Sequence, residues 1–230
     1  MKNFGFTLSE VLITLGIVGV IAALSMPSLI ANTQNKTNAA SLASAVTDIE
    51  NAIANMMLIE DVMDIVDVDF NNLSKYIRLT NTEADPCADF YDCSSNDNPI
   101  KQINSNGVAL TVSELTSQGF HFLTKSGAYF AIGTSNEPCE SDDVCLNSSA
   151  NIYIDVNGKK KPNTAGRDFF AFFLGSDGKL YPYGGKEATR LLSSAEYWED
   201  SQKKEYACND KIKSLGCTGR LIENNFAVDY

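Results

Sequence analysis

The chain has 230 residues, of which 44% are hydrophobic and 20% charged, and a net charge of -11. That size leaves room for one ordinary domain with a real core beside an N-terminal apolar segment. The acidity argues against a general nucleic-acid-binding surface, which needs clustered Lys and Arg; the local run Lys159-Lys160-Lys161 reads as a solvated loop.

In chain order, a short start with one basic residue, Lys2, is followed by Phe6-Thr7-Leu8-Ser9-Glu10 and an uncharged apolar run from Val11 to Ala31. About 20 mostly apolar residues suffice to cross a bilayer. A secretory signal accounts for Lys2 and for Ala23-Leu24-Ser25 as a small-x-small cleavage site. It does not account for Glu10 at the head of the apolar region, nor for the run continuing through Leu29-Ile30. A plain signal anchor is a second reading. A third is specific: Gly5-Phe6-Thr7-Leu8-Ser9-Glu10-Val11-Leu12-Ile13 closely resembles the prepilin cleavage and methylation motif of type IV pilins and type II secretion pseudopilins.

The resemblance implies that a prepilin peptidase cuts between Gly5 and Phe6 and methylates the new amine of Phe6. It implies that Glu10 draws each new subunit into register by charge complementarity, and that Pro27 is the family's helix-kinking proline. The physical chemistry agrees. A carboxylate near a helix N-terminus is favoured by the macrodipole. Inside a bilayer it is still costly, by about 2.5–3.5 kcal/mol, so it needs a partner. Its own amine, or the amine of an axially offset neighbour, can serve. Gly16, Gly19 and Ala23 supply small positions, and Gly19-x-x-x-Ala23 permits close helix approach. Pro27 removes a backbone donor and is expected to kink or locally melt the helix.

From Ala31 onward Leu42, Val46, Ile49, Ile53 and Met56 recur at helical spacing, one apolar stripe on an amphipathic helix. One helix from Phe6 to Leu58 would be roughly 80 Å long. Residues 59–106 read as a connecting region, with a short helix over Asn71–Leu79 and turn chemistry over Asp85–Asn106. Strand signals follow at 107–112, 120–124, 129–132, 152–156, 169–174 and 179–183, with Ser126-Gly127 and Asp177-Gly178 as hairpin turns. The chain therefore reads as α+β, a long helix whose amphipathic half packs on an antiparallel sheet, the other sheet face being free for solvent or neighbours. Helical character returns at Ala188–Ser194.

The six cysteines, Cys87, Cys93, Cys139, Cys145, Cys208 and Cys217, show no Cys-x2-Cys spacing. Behind an export signal they read as disulfides, most simply between sequence neighbours. Asp155, Asn157 and Asp168 alternate oxygen ligands in a Gly-containing loop, which suits calcium, although three lysines interrupt the loop and no Glu closes it. No other cofactor is expected. His121 sits in a strand context, and no nucleophile elbow, phosphate loop or His-Glu-x-x-His helix is present. The chain is therefore not expected to be an enzyme.

The expected organisation is a leader at 1–5, a membrane or filament-core helix at 6–30, its amphipathic continuation at 31–58 and a globular head at 59–230. The resemblance implies a structural subunit of a type IV pilus or type II secretion filament. Its partners would be like subunits and other pilins or pseudopilins, the prepilin peptidase, and an inner-membrane platform with an ATPase. It would be single-pass in the cytoplasmic membrane, with its head in the periplasm or outside, before joining an extracellular filament or periplasmic pseudopilus. A DNA-uptake filament is the one form that would touch nucleic acid. The alternative is a signal-anchored or secreted binding protein that never assembles.

Overall fold

In the computed structural model, the described residues are 7–63, 65–79, 100–101, 109–110, 119–133, 144, 146–158, 163–193, 208 and 214–229. Helix α1 spans Leu8–Ile59, so the two apolar patterns lie on a single rod. Its first half, the stem, is exposed and includes Leu12, Ile13, Leu15, Ile17, Val18 and Leu24. Its second half buries Leu42, Ile49, Ile53 and Met56 completely, with Val46 partly buried beside them. Each such side chain contributes about 2 kcal/mol by leaving water. Ala39, Ala45 and Ala52 complete the buried face and let the sheet come close.

Two 3-10 segments follow, Ile65–Asp67 and Phe70–Lys75. The second replaces the α-helix expected over Asn71–Leu79. Asp69 caps it by accepting from Asn71 N–H, and Tyr76 N–H closes on Leu73 O after two turns. Strands β1 (Ile100–Lys101) and β2 (Ala109–Leu110) form a small separate ladder; β1 lies in the region expected to be turns, and β2 within the strand expected at 107–112.

The main sheet comprises β3 (Gly119–Leu123), β4 (Tyr129–Gly133), β5 (Leu146–Asp155), β6 (Phe169–Gly175) and β7 (Leu180–Pro182). They lie side by side in chain order and every pair is antiparallel. The register is set by alternation. Phe130, Ile132, Ile152, Ile154, Phe170, Phe172 and Leu174 face α1. Tyr129, Ala131, Tyr153, Phe169, Ala171 and Phe173 face the other way. Both expected hairpin turns form, with Gly127 and Gly178 at positive φ. The Gly178 turn docks on α1: a Cβ there would stand 2.5 Å from Met57 Sδ. This is the α+β, pilin-like arrangement expected from the sequence.

One expectation is corrected. The second sheet face is covered rather than free. Ala188 of α2 (Lys186–Ser193), Tyr183 and Leu215 pack on it, and Phe173 stacks on Tyr183 at 4.0 Å. A further helix, α3 (Cys217–Glu223), is joined to β6 where Ala171 N–H donates to Thr218 Oγ1 at 3.1 Å. Gly219 approaches the 183–185 turn so closely that its N–H donates to Tyr183 O at 2.8 Å. A Cβ at Gly219 would lie 2.5 Å from the Gly184 carbonyl carbon, and nearer still to Gly185 N.

The disulfide Cys208–Cys217 forms between sequence neighbours as expected. Its Cys217 end is fully buried, so it ties the C-terminal helix into the second layer. Cys87, Cys93, Cys139 and Cys145, with their expected neighbour pairings, lie outside the described residues, as do Lys159–Lys161.

Candidate functional site

The stem carries the first group of expected site residues. Gly5 and Phe6 lie outside the described residues. The helix opens at Thr7, whose hydroxyl accepts from Glu10 N–H at 3.3 Å, while Thr7 N–H donates to Glu10 Oε2 at 2.8 Å. This reciprocal capping box satisfies two helix-end donors at once. The Thr7 hydroxyl also donates to Glu10 Oε2 at 2.8 Å. Glu10 is thus folded back over the end of its own helix. The Thr7-x-x-Glu10 spacing is the sequence signature of this box.

Gly16 and Gly19 lie on the open stem, and a Cβ added at either would meet nothing within 4 Å. Among the described residues nothing requires them to be small. The helix continues without a break through Pro27, rather than melting there. Around it, the Ser25 hydroxyl donates to Ile21 O and the Ser28 hydroxyl to Ser25 O, both at 2.9 Å. These bonds hold carbonyls on the turns that flank the missing proline donor.

The second group lies where the stem enters the head. Asn38 Nδ2 donates to Arg167 O at 3.1 Å, and Arg167 reaches Gln34 Oε1 at 3.4 Å. The loop carrying Arg167 is held by the candidate calcium residues. Asp155 Oδ1 accepts from the Asn157 and Gly158 amides, at 3.0 and 2.9 Å. Asp168 Oδ1 accepts from Thr164 N–H, and Asp168 Oδ2 accepts from Asn157 Nδ2 at 3.1 Å. The structure therefore brings Asp155, Asn157 and Asp168 into one cluster. In it three carboxylate oxygens already accept from N–H donors, and Asn157 offers its NH2 group rather than its oxygen. Among the described residues no three His, Cys, Asp or Glu side chains gather as a metal-binding group.

Burial pushes the Asp168 carboxyl up to about 6, against the opposing pull of Thr164 N–H, Asn157 and Arg167. The folded state thus holds that proton more tightly than the unfolded chain, whose reference value is 3.8. The stability this contributes is complete below about pH 4 and is lost as pH rises through about 6. A shift of two pK units corresponds to about 3 kcal/mol. We expect the melting temperature in calcium-free buffer to fall from pH 4.5 to pH 7 more steeply for the wild-type chain than for Asp168→Asn. Thermal melts of the full chain in detergent read the difference, and equal slopes would remove Asp168 as its source.

The prokaryotic N-terminal methylation motif family matches residues 1–26. No curated protein matches the chain, and no solved structure matches it. The matched segment ends one residue before Pro27 and contains every stem residue expected to act in processing or assembly except that proline. From Leu8 on it coincides with the start of a helix long and apolar enough to cross a membrane, by length and composition.

Proposed function

We propose that the chain is a pilin or pseudopilin subunit, made as a membrane precursor, cut between Gly5 and Phe6, N-methylated at Phe6, and assembled through its stem into a filament. The observation that carries this reading is that the methylation motif at residues 1–26 extends along an apolar helix half that, among the described residues, packs on nothing. Bare Leu, Ile and Val side chains over several turns need a bilayer or other stems around them. Gly16 and Gly19, with nothing near a built Cβ among the described residues, allow neighbouring stems to approach closely. A platform with an ATPase would supply the work of lifting the stem from lipid. The disulfide and head size favour a pilus-type or minor subunit. The rival, a signal-anchored binding protein, uses the same helix only as an anchor.

Cysteine pairs drawn from the exposed positions Ile13, Ile17, Ile21 and Leu24 test the two against each other. In a filament they crosslink neighbouring chains into ladders when peptidase and ATPase are active, and not when either is disabled. Monomers at every pairing would favour the anchor.

Calcium at Asp155, Asn157 and Asp168 is a separate proposal. Its support is two buried carboxylates, Asp155 and Asp168, brought together through Asn157. Against it stand the N–H donors already on their oxygens. An ion there would have Asn157 turn its amide oxygen inward. A melting temperature raised by millimolar calcium in the wild type but not in Asp168→Asn supports the ion; no change in either leaves the loop as a hydrogen-bonded lock.

A further inference from the structure

A cleft of about 750 Å³ lies where the stem leaves the head, between one turn of α1 and the C-terminal segment 225–229. Its helix wall is Asn32, Asn35 and Lys36. Its other wall is unusual in its backbone. Asn225 and Phe226 are consecutive non-glycine residues at φ 51° and 61°, a conformation that L side chains adopt at a cost and that persists where the surroundings enforce it. The amides of Asn225 and Phe226 donate to Ile222 O and Leu221 O, which holds the turn in place. Phe226 and Val228 pack partly on the core, leaving Ala227 exposed at the cleft.

The charges in the cleft are uneven. Asp229 is neutralised by Arg220, whose Nε lies 2.8 Å from its Oδ1. Lys36 is exposed, and among the described residues no ion pair or hydrogen bond engages it. The cleft therefore presents one uncompensated cation, flanked by the carboxamides of Asn32 and Asn35, on a chain whose net charge is -11. Asn35 Oδ1 is also buried without a hydrogen-bond partner, an acceptor whose cost is relieved if the amide turns toward a polar guest.

Depth identifies the guest. At 1.5 Å per residue, Asn32 and Lys36 stand about 36 and 42 Å along the helix from Leu8. A bilayer measures about 30 Å across its hydrocarbon and about 40–45 Å including headgroups. With the stem spanning the bilayer, the cleft opens in the far headgroup layer. We infer that the cleft between Asn32–Lys36 and the 225–229 turn is a binding site for a phospholipid headgroup, with Lys36 on the phosphate, the neighbouring carboxamides on its polar groups, and Phe226 and Val228 against the first acyl carbons. The inference rests on the membrane-spanning stem of the proposed function. A bound headgroup would fix how deep the head sits before the subunit leaves the bilayer.

The test places a photoreactive benzoylphenylalanine at Ala227 in the full chain. A control carries it at Leu58, exposed at the opposite end of α1. Both are reconstituted in nanodiscs of phosphatidylethanolamine and phosphatidylglycerol, and in nanodiscs of a phosphate-free galactolipid. The Ala227 probe should crosslink phospholipid and the Leu58 probe should not. Lys36→Gln should lower the Ala227 crosslink about fivefold, the weight of one lysine near a lipid surface. The galactolipid discs should give a similar loss.

Equal crosslinking from both probes, no effect of Lys36→Gln, or equal capture of both lipids would overturn the inference. Crosslinking to a second copy of the chain instead would assign the cleft to subunit contact and overturn it too. The same samples, digested with protease from each side, report whether the stem spans. A chain that spans without capturing lipid refutes the cleft alone. A chain that does not span refutes the membrane reading with it.

Discussion

We expect Glu10→Ala to abolish incorporation of the chain into filaments while membrane insertion and cleavage continue. The carboxylate sits on the first turn of a bare apolar stem, held by Thr7. In a bundle of stems it would lie in low dielectric, where removing one partner of a charge pair costs about 3–5 kcal/mol. At about 1.4 kcal/mol per tenfold, assembly should fall by about a hundredfold or more. The capping box is a competing account, because Ala also loses the bond back to Thr7 N–H. Loss of a cap typically costs about 1 kcal/mol, too little for such a defect. Glu10→Gln separates the two: Gln can keep the box but removes the charge. Pull-down of sheared filaments should show Gln failing as Ala does. A Gln variant that assembles normally would mean that Glu10 acts by capping its own helix.

Gly219→Ala should unfold much of the second layer. The new methyl would overlap the backbone of Gly184 and Gly185, where no side chain can move aside. It would also push apart the 2.8 Å bond from Gly219 N–H to Tyr183 O. Overpacking costs about 1–3 kcal/mol, and more where only backbone can yield, so we expect at least about 3 kcal/mol from a domain total of about 5–15. The loss reaches Thr218, whose hydroxyl serves Ala171 of β6, and the buried Cys217. Chemical denaturation should show a lower midpoint, with Gly16→Ala on the open stem as a near-neutral control. A Gly219→Ala chain as stable as wild type would contradict the close packing of α3.

The long helix was legible because two independent patterns, an uncharged run and a period of three to four, continue one into the other. The strands of the main sheet were legible because their alternation is strong: Phe130, Ile132 and Ile154 on one face, Tyr129, Ala131 and Tyr153 on the other. The covered second face was not. Tyr183, Ala188 and Leu215 are separated widely in sequence, and no local period links Leu215 to Phe173. Helix α3 was missed because Cys217-Thr218-Gly219 is poor helix sequence; its tie to Ala171 and the disulfide decide its place. The continuity of α1 at Pro27 shows that one missing donor need not end a long helix. The expected processing residues Gly5, Phe6 and Glu10 stand in one nine-residue stretch, Gly5–Ile13, inside the matched segment 1–26. The cleft at the stem base was invisible, since it joins Lys36 to a turn nearly two hundred positions later.

The central claim is that the chain is a processed subunit whose mature life begins at Phe6. Mass spectrometry of the N-terminal peptide, in cells with and without active prepilin peptidase, tests it most directly. The account predicts an N-methylated Phe6 terminus with the active enzyme and an intact Met1–Gly5 leader without it. A terminus after Ala23 or Ser25, or an unchanged leader in both cells, would contradict it.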